Sequence, residues 1–379
     1  MILGIDAFNI RTGGCLTHLR EVLSVVDPHK YGFSKAIIWG SAETLSKIND
    51  KEWLEKVVVP LLNRSLPYRL FWHRFLSRKI ITEKGCSILF VPGGSNANGY
   101  APVVTMSRNM LPFEWGELFR YRSFTAILRL LLIRRTQINS FKKADGVIFL
   151  TKYAREAIFK ITGQISGKSM IIPHGISPHF HLTPRAQRSP TDFSDDRPCR
   201  ALYVSAIYAY KHQWHVAEAV AQLRKAGLPI KLDLIGAPAE GMRRLNAILD
   251  KVDPKRDFIK AHGAAPYEKL NEFYQGADIG VFASSCENMP NILLENMAAG
   301  LPIACSNMGP MPELLGDSGV YFNPCDADDI ASALRKLIYF PDLRNNIAQS
   351  AFVRAQQYSW KRCADETFAF LSKIAKEKL

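Results

Sequence analysis

One pattern, repeated twice, constrains this chain more than any other feature. Short runs rich in Val, Ile and Leu (ILGI, KAIIW, CSILFV, PVVTM, DGVIFL and SMIIP) alternate with helix-length segments, among them 14–26 and 152–160. Runs of this kind read as strands covered on both faces, and the segments between them as the crossovers that parallel pairing requires. The stretch TPRAQRSPTDFSDDRP, 183–198, interrupts the series with three prolines and no apolar period. Alternation then resumes with ALYVSAI, a helix over about 212–226, IKLDLIG, a helix over about 239–250, DIGVFAS, a helix over about 291–299, and PIACS. The expected fold is α/β, with two Rossmann-like doubly wound domains facing across a cleft.

At 379 residues the chain exceeds what one hydrophobic core commonly serves. The expected division is a first domain over 1–183, a linker over 184–198 and a second domain over 199–357. Residues from about 326 to 379 read as helical throughout, with Phe368, Leu371 and Ile374 on one face by their three-residue spacing. The last part, 358–379, is expected to pack back toward the first domain. Ligands of such folds lie at the carboxyl ends of the strands, so the functional site is expected there.

Composition excludes several classes. With 47% hydrophobic and 22% charged residues the chain is not a disordered one. The opening MILGIDAFNIRTGG has neither the basic leader nor the apolar core of a secretory signal and reads as a first strand. The greasiest run, AILRLLLI, is cut by Arg129 and ends at Arg134, far short of the roughly 18 apolar residues of a membrane span. Seven cysteines without a C-x-x-C pair suggest neither a disulfide framework nor a zinc knuckle, which fits a reducing, cytoplasmic setting.

The segment CENMPNILLENMAAGLPIACSNMGPMPELLGDSGVYFNP, 286–324, carries the chemistry. The strand DIGVFAS delivers the chain to a tight turn holding Glu287. Pro290-Asn291 then starts a helix that Gly300 ends, with Pro302 just beyond, so Glu295 lies one turn inside it. A helix start at a cleft offers free backbone N–H groups and a partial positive charge to a diphosphate, and carboxylates beside it can accept hydrogen bonds from vicinal hydroxyls. Two glutamates eight apart are by themselves most often solvated surface; the surrounding pattern is what singles these out.

That pattern resembles the retaining glycosyltransferases of family 4, which have the GT-B architecture of two Rossmann-like domains. Their motif E-G-F-G-L-P-x-L-E, followed by A-x-A-x-G-x-P-V, is met here by ENMPNILLENMAAGLPI in the same register, with GPMPELL and GVYFNP following. The resemblance implies that Glu287 contacts the donor hexose near its reacting centre and that Glu295 holds the ribose hydroxyls. It also implies that the backbone of Asn288, Met289, Asn291 and Ile292 holds phosphate and sugar. Asn288-Met289-Pro290-Asn291 replaces the family's G-F-G-L, and Pro290 has no N–H, so a neighbour must supply that donor.

Other segments join the same register. In YVSAIYAYKHQW, Lys211 matches the lysine that binds the donor diphosphate, and Ser205 stands where many members carry arginine. Gly13 and Gly14 match the Gly-Gly pair after the first strand, where the missing Cβ lets the backbone approach the donor. IIPHGISPHF resembles the turn ending the first domain, with His174 structural rather than catalytic. Where members carry His-Asp after a first-domain strand, this chain has Arg108-Asn109; either could hydrogen-bond the transferring sugar, and both are candidate catalytic residues beside Glu287.

Charge is confined to one half: 25 Lys and Arg against 12 Asp and Glu before residue 184, and 24 against 23 after it. Segment 108–143 interleaves Arg108, Arg120, Arg122, Arg129, Arg134, Arg135, Lys142 and Lys143 with Phe113, Trp115, Phe119, Tyr121, Phe124, Leu128, Leu131 and Leu132, and 64–79, RSLPYRLFWHRFLSRK, is similar. Either the apolar residues face the sheet and the arginines face water, or these segments lie on an anionic membrane; nucleic acid fits less well.

The resemblance thus implies a retaining, metal-independent hexosyltransferase without a cofactor. It would move sugar from a nucleoside diphosphate sugar to a glycan acceptor, itself lipid-linked, on the inner face of the cell membrane, in surface polysaccharide or lipopolysaccharide assembly. A GT-B nucleotide-sugar epimerase or a non-catalytic binding protein of the same fold are the alternatives. The acidic run DADD, 326–329, sits at a helix start, where acids favour the dipole, and is assigned no metal.

Overall fold

The computed structural model describes all residues except 12, 121, 122 and 379. Two compact units emerge, one from 1–175 with 358–379 and the other from 176–357. The division follows Gly175, so residues 176–183, expected in the first domain, and the expected linker 184–198 both belong to the second unit. The cause is side-chain anchoring that the proline pattern conceals. Phe180 is fully buried, its ring edge-on to Tyr267 and Tyr274, the Leu182 N–H donates to the Ala298 carbonyl, and Arg188 pairs with Asp278.

The first unit holds β1 (Ile2–Asp6), β2 (Lys35–Gly40), β3 (Leu54–Val58), β4 (Ile88–Val91), β5 (Val103–Met106), β6 (Gly146–Phe149) and β7 (Lys168–Ile171) in the order β3-β2-β1-β4-β5-β6-β7. The second holds β8 (Cys199–Val204), β9 (Ile230–Ile235), β10 (Ile259–Gly263), β11 (Ile279–Phe282), β12 (Ile303–Ser306) and β13 (Val320–Phe322) in the order β10-β9-β8-β11-β12-β13. All recorded pairings are parallel; β1, for example, sets Leu3 opposite Ala36 of β2 and Ile88 of β4. Through six strands the two orders coincide, the common doubly wound order that reverses direction beside its first strand.

Central strands match the apolar runs because both faces are covered: β4, β5, β6, β11 and β12 are buried along their whole length. Strands β3, β10 and β13 escape such a reading. The first two mix charged and half-exposed positions, and β13 is only three residues long. All three are edge strands, where one side lacks a neighbour and the apolar requirement relaxes.

The closing region is three helices, Ala327–Tyr339, Pro341–Ala355 and Trp360–Lys378. Pro341 cannot continue the preceding helix, but its missing N–H is no loss in a new first turn. The last helix buries Phe368, Leu371 and Ile374 and packs on β4, β6 and the helix Gly14–Val25 of the first unit. No helix among the described residues is long and apolar enough to cross a membrane.

Candidate functional site

In the second unit the strand order reverses at β8, which lies between β9 and β11. At such a switch point the loops leaving adjacent strands diverge and open a crevice at their carboxyl ends. Lys211 follows β8 and Glu287 follows β11, and the two meet there. The Lys211 ammonium donates to the Glu287 carboxylate, with side chains only 9% and 14% exposed. The loops are tied together beneath them, since the Tyr210 carbonyl accepts from the Ser285 N–H at 2.9 Å.

Lys211 is held from several sides. Its carbonyl accepts from the Tyr203 hydroxyl at 2.6 Å, and its ammonium lies 5.3 Å from the Tyr210 ring centre and 5.1 Å from that of Phe282. His212, next in sequence, adopts a left-handed backbone (φ 52) and bonds Ser285 Oγ at 2.8 Å, turning the chain into the helix Gln213–Lys225. Ser205, at the end of β8, is buried; its N–H donates to the Ile235 carbonyl and its hydroxyl to the Ala206 carbonyl, so it supplies no charge in place of an arginine.

The helix Asn291–Ala298 begins directly after this crevice, with Pro290 at its N-cap. Its end is closed by Gly300 at φ 62, whose N–H reaches the Met297 carbonyl while that of Leu301 reaches Asn296. Asn291 and Ile292 form its first turn, where backbone N–H groups have no partner inside the helix. Asn288 and Met289 are buried in the turn before it. Glu295 is 6% exposed and accepts from the Tyr274 hydroxyl at 3.0 Å. Burial pushes its carboxyl up to about 7, against the opposing effect of that hydrogen bond. Tyr274, Tyr203, Tyr210 and His212 carry no signal in the sequence, because their roles come from strands and helices far apart along the chain.

The remaining expected residues lie in the first unit. Gly13 caps the helix Gly14–Val25 at φ 69, a conformation that disfavours a side chain. The Arg108 guanidinium, at the carboxyl end of β5, donates to the Gly14 carbonyl. Asn109 is differently engaged: its side-chain oxygen accepts from the Leu111 N–H at 3.0 Å and closes a local turn. Of the two, Arg108 stands at the Gly-Gly loop.

Two buried polar clusters accompany this loop. The Asp6 carboxylate, ending β1, accepts from His73 Nδ1 at 2.9 Å and from the Phe8 N–H at 2.9 Å, and the Phe8 ring stacks on His73 at 4.0 Å. His73 Nε2 accepts from the Ala97 N–H, which fixes the proton on Nδ1. His73 sits in a π-helical turn, Trp72–Leu76, inside the basic stretch 64–79 and did not stand out there. The second cluster pairs His18 with His174, Nδ1 to Nδ1 at 3.0 Å. Both are held neutral, first by burial and then by the Arg108 charge. Cys363 completes with them a group whose ligand atoms lie within 4.8 Å of one another. A shared hydrogen bond and a neighbouring arginine suit a neutral packing cluster better than a cation. The acidic run at 326–329 is a cap, in which Asp326 accepts from the N–H groups of Asp328 and Asp329.

In the basic stretches some apolar side chains are buried and others are exposed. Phe113 and Leu130 face the core, but Trp115, Phe119, Phe124, Leu128 and Leu132 are exposed, as are Leu66, Leu70, Phe71 and Phe75. Phe124, Leu128 and Leu132 recur every four residues along the helix Phe124–Lys143 and form one outward stripe. Tyr121 and Arg122 lie outside the described residues.

Comparison with known proteins agrees with this architecture. The family described as glycosyl transferases group 1 matches residues 198–339. The O-antigen chain mannosyltransferase B of Escherichia coli is 30% identical over 113 residues, 30% of each chain. This chain spans less than a third of the length of the curated relatives it matches. Among solved structures, sucrose-phosphate synthase from Thermosynechococcus elongatus superposes with a TM-score of 0.78 at 16% identity, covering all of both chains. The Anabaena protein HepE, in complex with UDP-glucose, does so with a TM-score of 0.71 at 15% identity, again over both chains entire. The two parallel sheets are those of the GT-B fold, and residues 198–339 match the family described as glycosyl transferases group 1.

Proposed function

We propose that this chain is a retaining glycosyltransferase of family 4 that moves a hexose from a nucleoside diphosphate sugar to a glycan acceptor. The observation that carries the reading is the meeting of Lys211 with Glu287 at the β8/β11 switch point, directly before a helix start and one turn from Glu295. A diphosphate would replace Glu287 as the partner of Lys211 and bond the N–H groups of Asn291 and Ile292. Glu295, as the carboxylate, would accept the ribose hydroxyls. Glu287, released, would face the hexose near its reacting carbon.

In this reading the lysine ammonium and backbone N–H groups neutralise the leaving diphosphate, so no metal is required. The departing phosphate oxygen accepts the acceptor's proton, and the anomeric configuration is kept. Gly13, Gly14 and Arg108 of the first unit remain the residues that the family resemblance assigns to the donor and its sugar. The HepE structure, solved with UDP-glucose, favours a uridine donor as the first to test.

The acceptor is proposed to be lipid-linked, in surface polysaccharide assembly on the cytoplasmic face of a membrane. Exposed Phe124, Leu128 and Leu132 beside Arg129 and Arg135 suit an anionic bilayer surface. The relative named for O-antigen mannosyl transfer is in keeping with such an acceptor.

The test is release of free nucleoside diphosphate from a panel of UDP, GDP and ADP sugars, with and without extracted lipid-linked glycans. Release that depends on the acceptor supports the reading. A donor that binds but is never turned over with any acceptor would make the chain a binding protein, and none binding at all would remove the site.

A further inference from the structure

At the opposite end of the second sheet from Lys211, five arginines line one recess. Arg200 is the second residue of β8, Asp278 directly precedes β11 and Pro302 directly precedes β12, so the recess lies at the amino ends of these strands. Arg185, Arg188, Arg197 and Arg344 complete the cationic lining of a cavity of about 460 Å³.

The charges do not balance. Asp196 and Asp278 are the carboxylates of the lining, and Asp233 reaches Arg200 at 2.9 Å from the neighbouring strand. Arg188 pairs with Asp278. Arg185 is spent on the carbonyls of Gln275 and Ala277. Arg197, by contrast, has no side-chain hydrogen bond or ion pair among the described residues.

Arg344 is the decisive group. Only 1% exposed, it bonds the carbonyls of Leu337, Ile338 and Arg188 and the side-chain oxygen of Gln187, all of them neutral, and among the described residues no carboxylate is in salt-bridge contact with it. Asp278, already paired with Arg188, acts on it only from farther off. A buried cation with so distant a counter-charge is costly, and an anion entering beside it recovers part of that cost. Guanidinium groups converging on one cavity match the several acceptor oxygens of a phosphate.

We propose that this recess binds a multiply charged phosphate, as pyrophosphate or the phosphate groups of a small phosphorylated solute, at a site separate from the Lys211 crevice. Arg344 supplies the positive floor, and Arg197 and Arg200 at the rim close on the ligand.

The test is titration of the full chain with inorganic pyrophosphate by calorimetry, in a Lys211→Ala background that weakens any binding at the other end of the sheet. One remaining site is expected, weakened about tenfold or more by Arg197→Glu. Since the Arg197 side chain has no partner among the described residues, Arg197→Glu made in the chain with Lys211 intact should keep the wild-type melting temperature and nucleotide-sugar binding. Arg344→Met should abolish the site; if it fails to fold, Arg197→Glu decides alone. No pyrophosphate binding in the Lys211→Ala chain, or binding indifferent to Arg197→Glu, overturns the proposal. So does displacement of pyrophosphate by phosphatidylglycerol vesicles at equal phosphate, which would make the ligand a lipid headgroup.

Discussion

Lys211 and Glu287, 76 positions apart, form a nearly enclosed ion pair where the loops after β8 and β11 converge. Each carries the charge that the other needs, and in the proposed reading a diphosphate competes with the carboxylate for the ammonium. Lys211→Ala should therefore weaken nucleoside diphosphate binding by about tenfold or more, as charge-assisted hydrogen bonds are lost. Glu287→Gln should leave that binding equal or slightly tighter and lower turnover by about a hundredfold or more. Calorimetry with UDP and initial rates separate the two; equal losses in both quantities for both variants would argue against distinct roles.

Under the proposed function, Glu295 should make stability and ligand binding respond to pH in opposite directions. Its folded pKa is raised to about 7 from an ordinary 4.5, so its contribution to stability is complete below about pH 4.5 and is lost as pH rises through 7. The loss amounts to about 3 kcal/mol. Denaturant titrations of the wild type and Glu295→Gln at pH 5 and pH 8 should show the variant gaining, relative to wild type, at the higher pH. In the proposed reading the Glu295 carboxylate holds the ribose hydroxyls, so wild-type affinity for a nucleoside diphosphate should improve across the same range, and the variant's should not.

Gly175 has no room for a side chain. A Cβ there would overlap the backbone nitrogen of Trp360, at the start of the last helix. Gly175→Ala must therefore displace that helix from the first unit and should cost on the order of 3 kcal/mol, like other overpacked core sites. A fall in the melting temperature of several degrees checks this; an unchanged transition would mean that the helix start yields freely.

The stripe Phe124–Leu128–Leu132 should govern membrane binding. Replacing all three by Ser should reduce binding to phosphatidylglycerol vesicles by roughly tenfold or more, since each buried apolar side chain contributes on the order of 1 kcal/mol or more. Folding should be unaffected, because these side chains are exposed. Raising salt should weaken wild-type binding through the arginines. Vesicle co-sedimentation reads both effects, and binding unchanged by the triple variant would remove the stripe from any docking role.

Much of the fold is legible in the residues themselves. Central strands must be apolar on both faces because helices cover both, so β1, β4, β6, β8, β11 and β12 announce themselves as short apolar runs. The helix Asn291–Ala298 is bracketed by Pro290 and Gly300, whose backbone preferences act locally. Where the determinants were not local, the reading failed. The prolines of 184–198 read as a linker, and Arg185 and Arg188 within it, with Phe180 just before it, are tied to partners roughly ninety residues away in the second unit. Edge strand β3 escaped notice because Glu55 and Lys56, exposed in part, break its apolar character before Val57 and Val58.

The sequence by itself determined the α/β class, the two series of strands and the positions of Glu287, Glu295 and Lys211, because period, turn residues and motif spacing are written along the chain. Only the tertiary structure decided that Lys211 pairs with Glu287, that Tyr274 bonds Glu295 and that burial lifts the Glu295 carboxyl to about 7. It alone set Arg108 against the Gly14 carbonyl and left Arg344 buried with no carboxylate in salt-bridge contact among the described residues. The reason is physical: a side chain's charge state and partners depend on its surroundings in three dimensions, which parallel strands assemble from segments that the sequence keeps far apart.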